Sequence, residues 1–318
     1  MRDAEYANAV ARIRMNENRL LSAEDTERLI TAPTAADAVG IVTERGLCRR
    51  DGDKADFSGS LDEMRQLIVS VVPDEKEFLF LLIDNDFHNL KTVIKAAVAD
   101  KPTDGLLLPE ISCSVDDMKK AIGEKKFDLL PEYMSSAARR AYSLITETGD
   151  GQLCDAVLDR AYCGAVISLT EKSGDFIRNL GELIAADCCM RTAARCAFMK
   201  KDKDFIELSV GECRSLQRKR LIDAAAKSVE SVSQYLSHTA YETQAQALSE
   251  SIRDFEKQCE DMLLRYCDSA KYTALGPAPI AAYIIRKKAQ IKTARIVIGC
   301  KTAGLSEQMI RQRVRKTV

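Results

Sequence analysis

An all-α fold is what this chain of 318 residues predicts, on three observations: apolar residues at helical spacing in long segments, hydroxyl–carboxylate pairs where helices would start, and few helix breakers. Ala, Leu, Ile, Lys, Arg and Glu dominate, and such residues favour helix over strand. Gly and Pro number only 15 and 7, and aromatics make up 6% with no Trp. No alternating apolar and polar run bounded by hairpin turns stands out, so no strand is predicted.

The elements follow in order. Ser22-Ala23-Glu24-Asp25, Thr34-Ala35-Ala36-Asp37 and Ser114-Val115-Asp116-Asp117 each place a hydroxyl at an N-cap with a carboxylate three residues on. The hydroxyl accepts from an orphan helix N–H, and the carboxylate suits the positive helix end. Leu79, Ile83, Phe87, Leu90, Ile94 and Ala97 step by three or four onto one face, and Asp100-Lys101-Pro102 ends that helix. A second long stripe runs through Phe176, Leu180, Leu183, Met190, Ala194 and Ala197. A third carries Ile280, Ile284, Ile291, Ala294 and Ile298; its predicted stop is Gly299, with renewal after Gly304. Ser306 is the expected cap of a last helix over 307–316.

The three long segments recur about 100 residues apart, which predicts internal repetition in units of 1–105, 106–205 and 206–318. Asp86-Phe87-His88-Asn89-Leu90-Lys91 aligns with Asp187-Cys188-Cys189-Met190-Arg191-Thr192 and with Gln290-Ile291-Lys292-Thr293-Ala294-Arg295. Asp86 and Asn89 flank the apolar stripe, and a polar side chain there needs a hydrogen-bond partner. Asp86, Asn89, Asp187 and Gln290 are therefore read as a helix-packing motif. Met190 and Thr293 stand where that motif has Asn, so the second and third copies must order their packing differently.

Several function classes are disfavoured. A net charge of −1 lacks the basic surplus of a general nucleic-acid binder. No apolar run exceeds the six residues of 78–83, far short of the roughly 20 of a spanning helix. The charged N-terminus is unlike a signal peptide. Eleven cysteines are scattered without paired metal-ligand spacing, and His88 and His238 lie far apart. Gly299-Cys300-Lys301-Thr302 echoes the end of a phosphate-binding loop but lacks its first glycine, because that position is Ala294. No catalytic, cofactor or metal residue is therefore assigned. The stretch from Arg286 onward carries ten Lys and Arg against one acid, Glu307, a charge asymmetry suited to an acidic partner or to a solvated face.

The opening Tyr6-Ala7-Asn8-Ala9-Val10-Ala11-Arg12-Ile13-Arg14, with Glu17 and Leu20-Leu21-Ser22, resembles the N-terminal signature of the C subunit of V/A-type rotary ATPases, called the d subunit in eukaryotic V-ATPases. Asp86, Asn89-Leu90-Lys91 and Ile94-Lys95 are similar to that family's first long-helix motif. Tyr283, Lys287-Lys288-Ala289-Gln290-Ile291-Lys292, Arg295, Gly304-Leu305-Ser306, Ile310-Arg311 and Val314-Arg315 extend the resemblance to the C-terminus. It implies a funnel-shaped protein of three pseudo-symmetric helical repeats, peripheral on the cytoplasmic face of a membrane. It also implies a non-catalytic central-stalk role, a socket between the D and F subunits of the central shaft and the proteolipid (c/K) ring, in ATP-linked proton or sodium transport. Membrane contact would be indirect and nucleic acid would not be a partner. Arg12, Arg14, Lys91, Arg295, Arg311 and Arg315 are the candidate partner-interface residues. Two rival readings are a helical scaffold that recruits another protein and a helical enzyme with a centre at Cys188, Cys189 and Cys196.

Overall fold

The computed structural model describes residues 5–51 and 54–314. Contacts divide the chain into two compact units, one of Met1–Glu75 with Asp261–Val318 and one of Lys76–Glu260.

The first unit begins with α1 (Ala7–Glu17), α2 (Ala23–Thr31) and α3 (Ala35–Glu44). Complete capping boxes start α2 and α3: Ser22 and Thr34 accept from the amides of Asp25 and Asp37, whose carboxylates return the bond. A short antiparallel pair follows, β1 (Arg49–Asp51) and β2 (Lys54–Asp56), with Arg49 opposite Asp56. Three residues per strand leave no readable alternation, which is why the sequence predicts none. After α4 (Ser58–Val71) the chain leaves for the second unit.

That second unit opens with a 3-10 stretch, Glu75–Leu81, so Leu79 belongs to this tighter turn and the long helix starts later, as α5 (Asp84–Ala99). There follow α6 (Val115–Gly123), α7 (Glu132–Thr148), α8 (Gly151–Thr170), α9 (Asp175–Phe198), α10 (Lys203–Ser209), α11 (Arg218–Ala225), α12 (Val229–Ser237) and α13 (Glu242–Glu250). Helix α5 packs on α6, α7 and α8, while α9 packs on α8, α11 and α12. At Gly181 of α9 an added Cβ would lie 2.3 Å from the Thr170 hydroxyl oxygen, so only glycine lets the end of α8 sit this close. Helix α14 (Ile252–Asp268) carries the chain across the boundary between the units.

The first unit is completed by α15 (Ala278–Thr302) and α16 (Glu307–Arg313). Helix α15 runs straight through Gly299; the stop predicted there falls instead at Gly304, whose φ of +68° takes the left-handed conformation that closes a helix. Ser306 caps α16 by accepting from the Met309 amide. Ile291, Ala294, Val297 and Cys300 of α15 share one core with Leu21, Leu29, Ala38, Val42 and Leu47, so the N- and C-terminal segments build a single hydrophobic interior. All-α therefore holds, with the small β pair as its only strands among the described residues.

Candidate functional site

The polar positions of the long-helix motif separate into three local solutions. On α5, Asp86 is fully buried and both its oxygens are used: Oδ1 accepts from the Ile111 amide at 3.0 Å, and Oδ2 from the Ser112 amide at 2.9 Å and hydroxyl at 2.5 Å. Because the Ser112 proton goes to the carboxylate, Tyr133 Oη donates to Ser112 Oγ, 2.5 Å away. Burial pushes the Tyr133 phenol up to about 12, which keeps it a donor. One turn on, Asn89 pairs with both backbone groups of Leu108: its amide N–H donates to the carbonyl at 2.9 Å and its oxygen accepts from the amide at 2.8 Å. This polar latch holds the segment 108–112 against α5 without regular secondary structure there.

On α9 the work is split. Asp187, the residue aligned with Asp86, does not reach a following loop; it accepts from Arg191 Nε at 2.6 Å, and Arg191 goes on to Glu260 at 3.3 Å and to the Glu256 carbonyl at 3.2 Å. Burial raises the Asp187 carboxyl above its usual range more than the adjacent guanidinium lowers it. The latch itself is made one turn earlier by Glu182, whose Oε1 accepts from the amide and hydroxyl of Ser215, both at 2.8 Å. Tyr241 Oη lies 2.7 Å from Ser215 Oγ, and burial pushes this phenol up to about 12 as well. Carboxylate, serine and tyrosine thus recur as a triad: Asp86, Ser112 and Tyr133; then Glu182, Ser215 and Tyr241. Alignment by spacing singles out Asp187 and misses Glu182. The serine that follows each long helix, with a tyrosine after it, is the signal that could have found the acceptor.

On α15, Gln290 performs the task of Asn89. Its Oε1 accepts from the Leu21 amide at 2.7 Å and its Nε2 donates to the Leu21 carbonyl at 2.9 Å. Thr293, where Asn would stand, is buried and its hydroxyl has no hydrogen-bond partner among the described residues.

The candidate interface cations are scattered, and most already have partners inside the chain. Arg14 pairs with Glu17 at 2.8 Å and donates to the Ala270 and Thr273 carbonyls, tying α1 to the 3-10 stretch Ser269–Tyr272. Lys91 pairs with Asp159 of α8. Arg295 lies over the Phe57 ring, 5.2 Å from its centroid. Arg311 holds Glu27 of α2 and Glu307, which raises its already high pKa further. Arg12 is exposed and makes no side-chain hydrogen bond or ion pair among the described residues. Arg315 lies outside the described residues.

The basic C-terminal stretch is also largely consumed within its own unit. Arg286 pairs with Glu17 and Asp268, and Lys301 donates to the Ile30 and Ala32 carbonyls at the C-terminal end of α2. Cys188, Cys189 and Cys196 sit on α9; Cys189 and Cys196 are buried and Cys188 is half-buried. Among the described residues, no three His, Cys, Asp or Glu side chains are grouped so as to hold a metal ion. None of the described helices is long and apolar enough to cross a membrane.

The sequence that builds these helices is matched over nearly its whole length by a known family. The family model for the ATP synthase (C/AC39) subunit covers residues 9–313. The chain belongs to this family. A relative within reach of direct alignment is the C subunit of the V-type sodium ATPase of Enterococcus hirae, 25% identical over 325 residues, with 98% of each chain covered. The chain is thus a V-type ATPase subunit of the C/AC39 type, as its N-terminal, α5 and C-terminal motifs imply.

Proposed function

We propose that this protein is a non-catalytic part of the central stalk, a socket that couples the D and F subunits of the rotating shaft to the proteolipid (c/K) ring. It sits peripherally on the cytoplasmic face and takes part in ATP-linked transport of protons or sodium. The observation that carries this reading is the end-to-end family match over residues 9–313, with the C subunit of a sodium ATPase aligned over 98% of both chains. Torque transmission needs stiffness, and close-packed helices with latched connections supply it.

The threefold partition into 1–105, 106–205 and 206–318, and the funnel shape, belong to the same proposal. Support comes from the long helices α5, α9 and α15, each with a latch residue and each closed by a left-handed residue: Asp100, Lys200 and Gly304. That closure also occurs at Gly46 and Lys125, so it is the recurrent triad and amide pairing that favour repetition. Among the described candidate cations, Arg12 is the one best placed to meet a partner, because its side chain makes no ion pair or hydrogen bond among the described residues.

Binding of the purified chain to the isolated shaft proteins, and separately to the detergent-solubilised ring, tests the proposal. Saturable binding to both is expected. Binding to neither, with the chain folded, would refute the socket role.

A further inference from the structure

A groove of about 500 Å³ opens where the end of α9 meets the turn from α11 into α12. Phe198 lines it and is 67% exposed, and the adjoining Met199 is 58% exposed. Both are out of keeping with the turn before them, where Ala193, Ala194, Cys196 and Ala197 are buried. Large apolar side chains left in water beside a hollow mark a surface that another molecule can cover.

The charge around the hollow says what would cover it. Lys200, Lys201 and Lys227 line it against a single acid, Glu230. Lys201 is already engaged, donating to Gln152 and lying 4.7 Å from the Phe205 ring centroid. Lys200 and Lys227 are exposed, and their side chains make no hydrogen bond or ion pair among the described residues. Acids close by in sequence do not offset them: Asp202 caps α10 by accepting from the Phe205 amide at 2.8 Å, and Asp223 holds Lys203 at 2.8 Å. Helix α12 also starts at the groove, so its positive end adds to the same field.

We infer that this groove docks an acidic peptide segment of a partner protein, with an apolar side chain against Phe198 and carboxylates facing Lys200 and Lys227. The apolar contact supplies area removed from water, and the two cations set the sign of the partner and speed its approach. The hollow takes up a side chain, which the flat headgroup surface of a bilayer does not present. Every residue of the groove belongs to the second unit, so the inference stands apart from the socket reading.

The test titrates the folded full-length chain into a fluorescein-labelled synthetic peptide of Asp and Glu around a central Leu-Phe pair, read by fluorescence anisotropy. Saturable binding is expected, weakening as salt rises. Lys200→Gln combined with Lys227→Gln should weaken it at least about tenfold, and Phe198→Ala about fivefold. All three positions are exposed, so the variants should keep the circular dichroism of the unsubstituted chain. An analogue peptide with Asn and Gln in place of the acids should bind at least about tenfold more weakly. No saturable binding of the acidic peptide, binding unchanged by the paired lysine substitutions, or equal binding of the neutral analogue would each overturn the inference. So would phosphatidylserine vesicles that bind through the same two lysines while the peptide does not.

Discussion

The latches on α5 and α9 use the same three residue types to hold the segment that follows a long helix, yet they differ in how completely the carboxylate is satisfied. Asp86 uses both oxygens and is backed by Asn89. Glu182 uses one, its second oxygen has no hydrogen-bond partner among the described residues, and apolar Met190 takes the Asn position. The difference teaches that one packing task can be divided. On α9 the charge at the motif position goes to an ion network with Arg191 and Glu260, and the loop is caught by a residue one turn earlier.

The largest expected effect breaks the stronger latch. Asp86→Ala removes three hydrogen bonds to a buried carboxylate and should cost about 4 kcal/mol, whereas Glu182→Ala should cost about 2 kcal/mol. Urea unfolding midpoints measure the gap, and equal losses would contradict the comparison.

The amide pairings come next. Gln290→Leu strands both backbone groups of Leu21, which is 1% exposed, and should cost about 3 kcal/mol. Asn89→Leu strands those of Leu108, which is 37% exposed, so water can replace the bonds and the loss should be about 1 kcal/mol. Calorimetric melting of both variants orders them.

Two carboxylates, Asp25 buried and Asp187 partly so, sharpen the contrast through pH. Burial pushes the Asp25 carboxyl up, but the Ser22 hydroxyl and amide with the Arg45 guanidinium leave it below its ordinary 3.8. Its folded pKa is depressed, so its contribution is full above about pH 4 and is lost as pH falls through the folded value. Asp187 is raised above 3.8 by burial, so the folded chain holds that proton more tightly and gains stability from it as pH falls through the folded value. Asp25→Asn, which weakens a capping box, should cost about 1 kcal/mol at pH 7 and less toward pH 3. Asp187→Asn should change stability with pH in the opposite sense. Unfolding free energies between pH 3 and 7, relative to the unsubstituted chain, show whether the slopes differ in sign.

The smallest effect on stability separates spent from unspent cations. Arg311→Gln should lower stability only slightly, through its exposed pairs with Glu27 and Glu307, while Arg12→Gln should leave it nearly unchanged. In shaft and ring binding the order should reverse, with Arg12→Gln the more harmful and the more sensitive to salt.

What could be read from the sequence was local. The boxes at Ser22 and Thr34, and the caps at Ser114 and Ser306, span three residues and need no knowledge of distant chain. The helical faces of α5, α9 and α15 were legible for the same reason. Left-handed closures at Asp100 and Lys200 were not, because glycine is the residue that announces them. The basic surplus after Arg286 looked available for a partner, but Glu17, Glu27 and the end of α2 neutralise much of it from the other end of the chain. Glu182 escaped because a latch is defined by the loop it meets, and a carboxylate one turn away serves as well as one in register.

The central claim is that this protein works as part of a rotary complex, and its most direct test is recovery from membranes. An affinity-tagged copy expressed in place of the native chain is cross-linked in mild detergent, purified and analysed by mass spectrometry. The account predicts shaft and proteolipid-ring proteins recovered with it in fixed ratio, cross-linked to separate peptides of this chain. An ATPase that assembles and turns over with this chain absent from it would contradict the account.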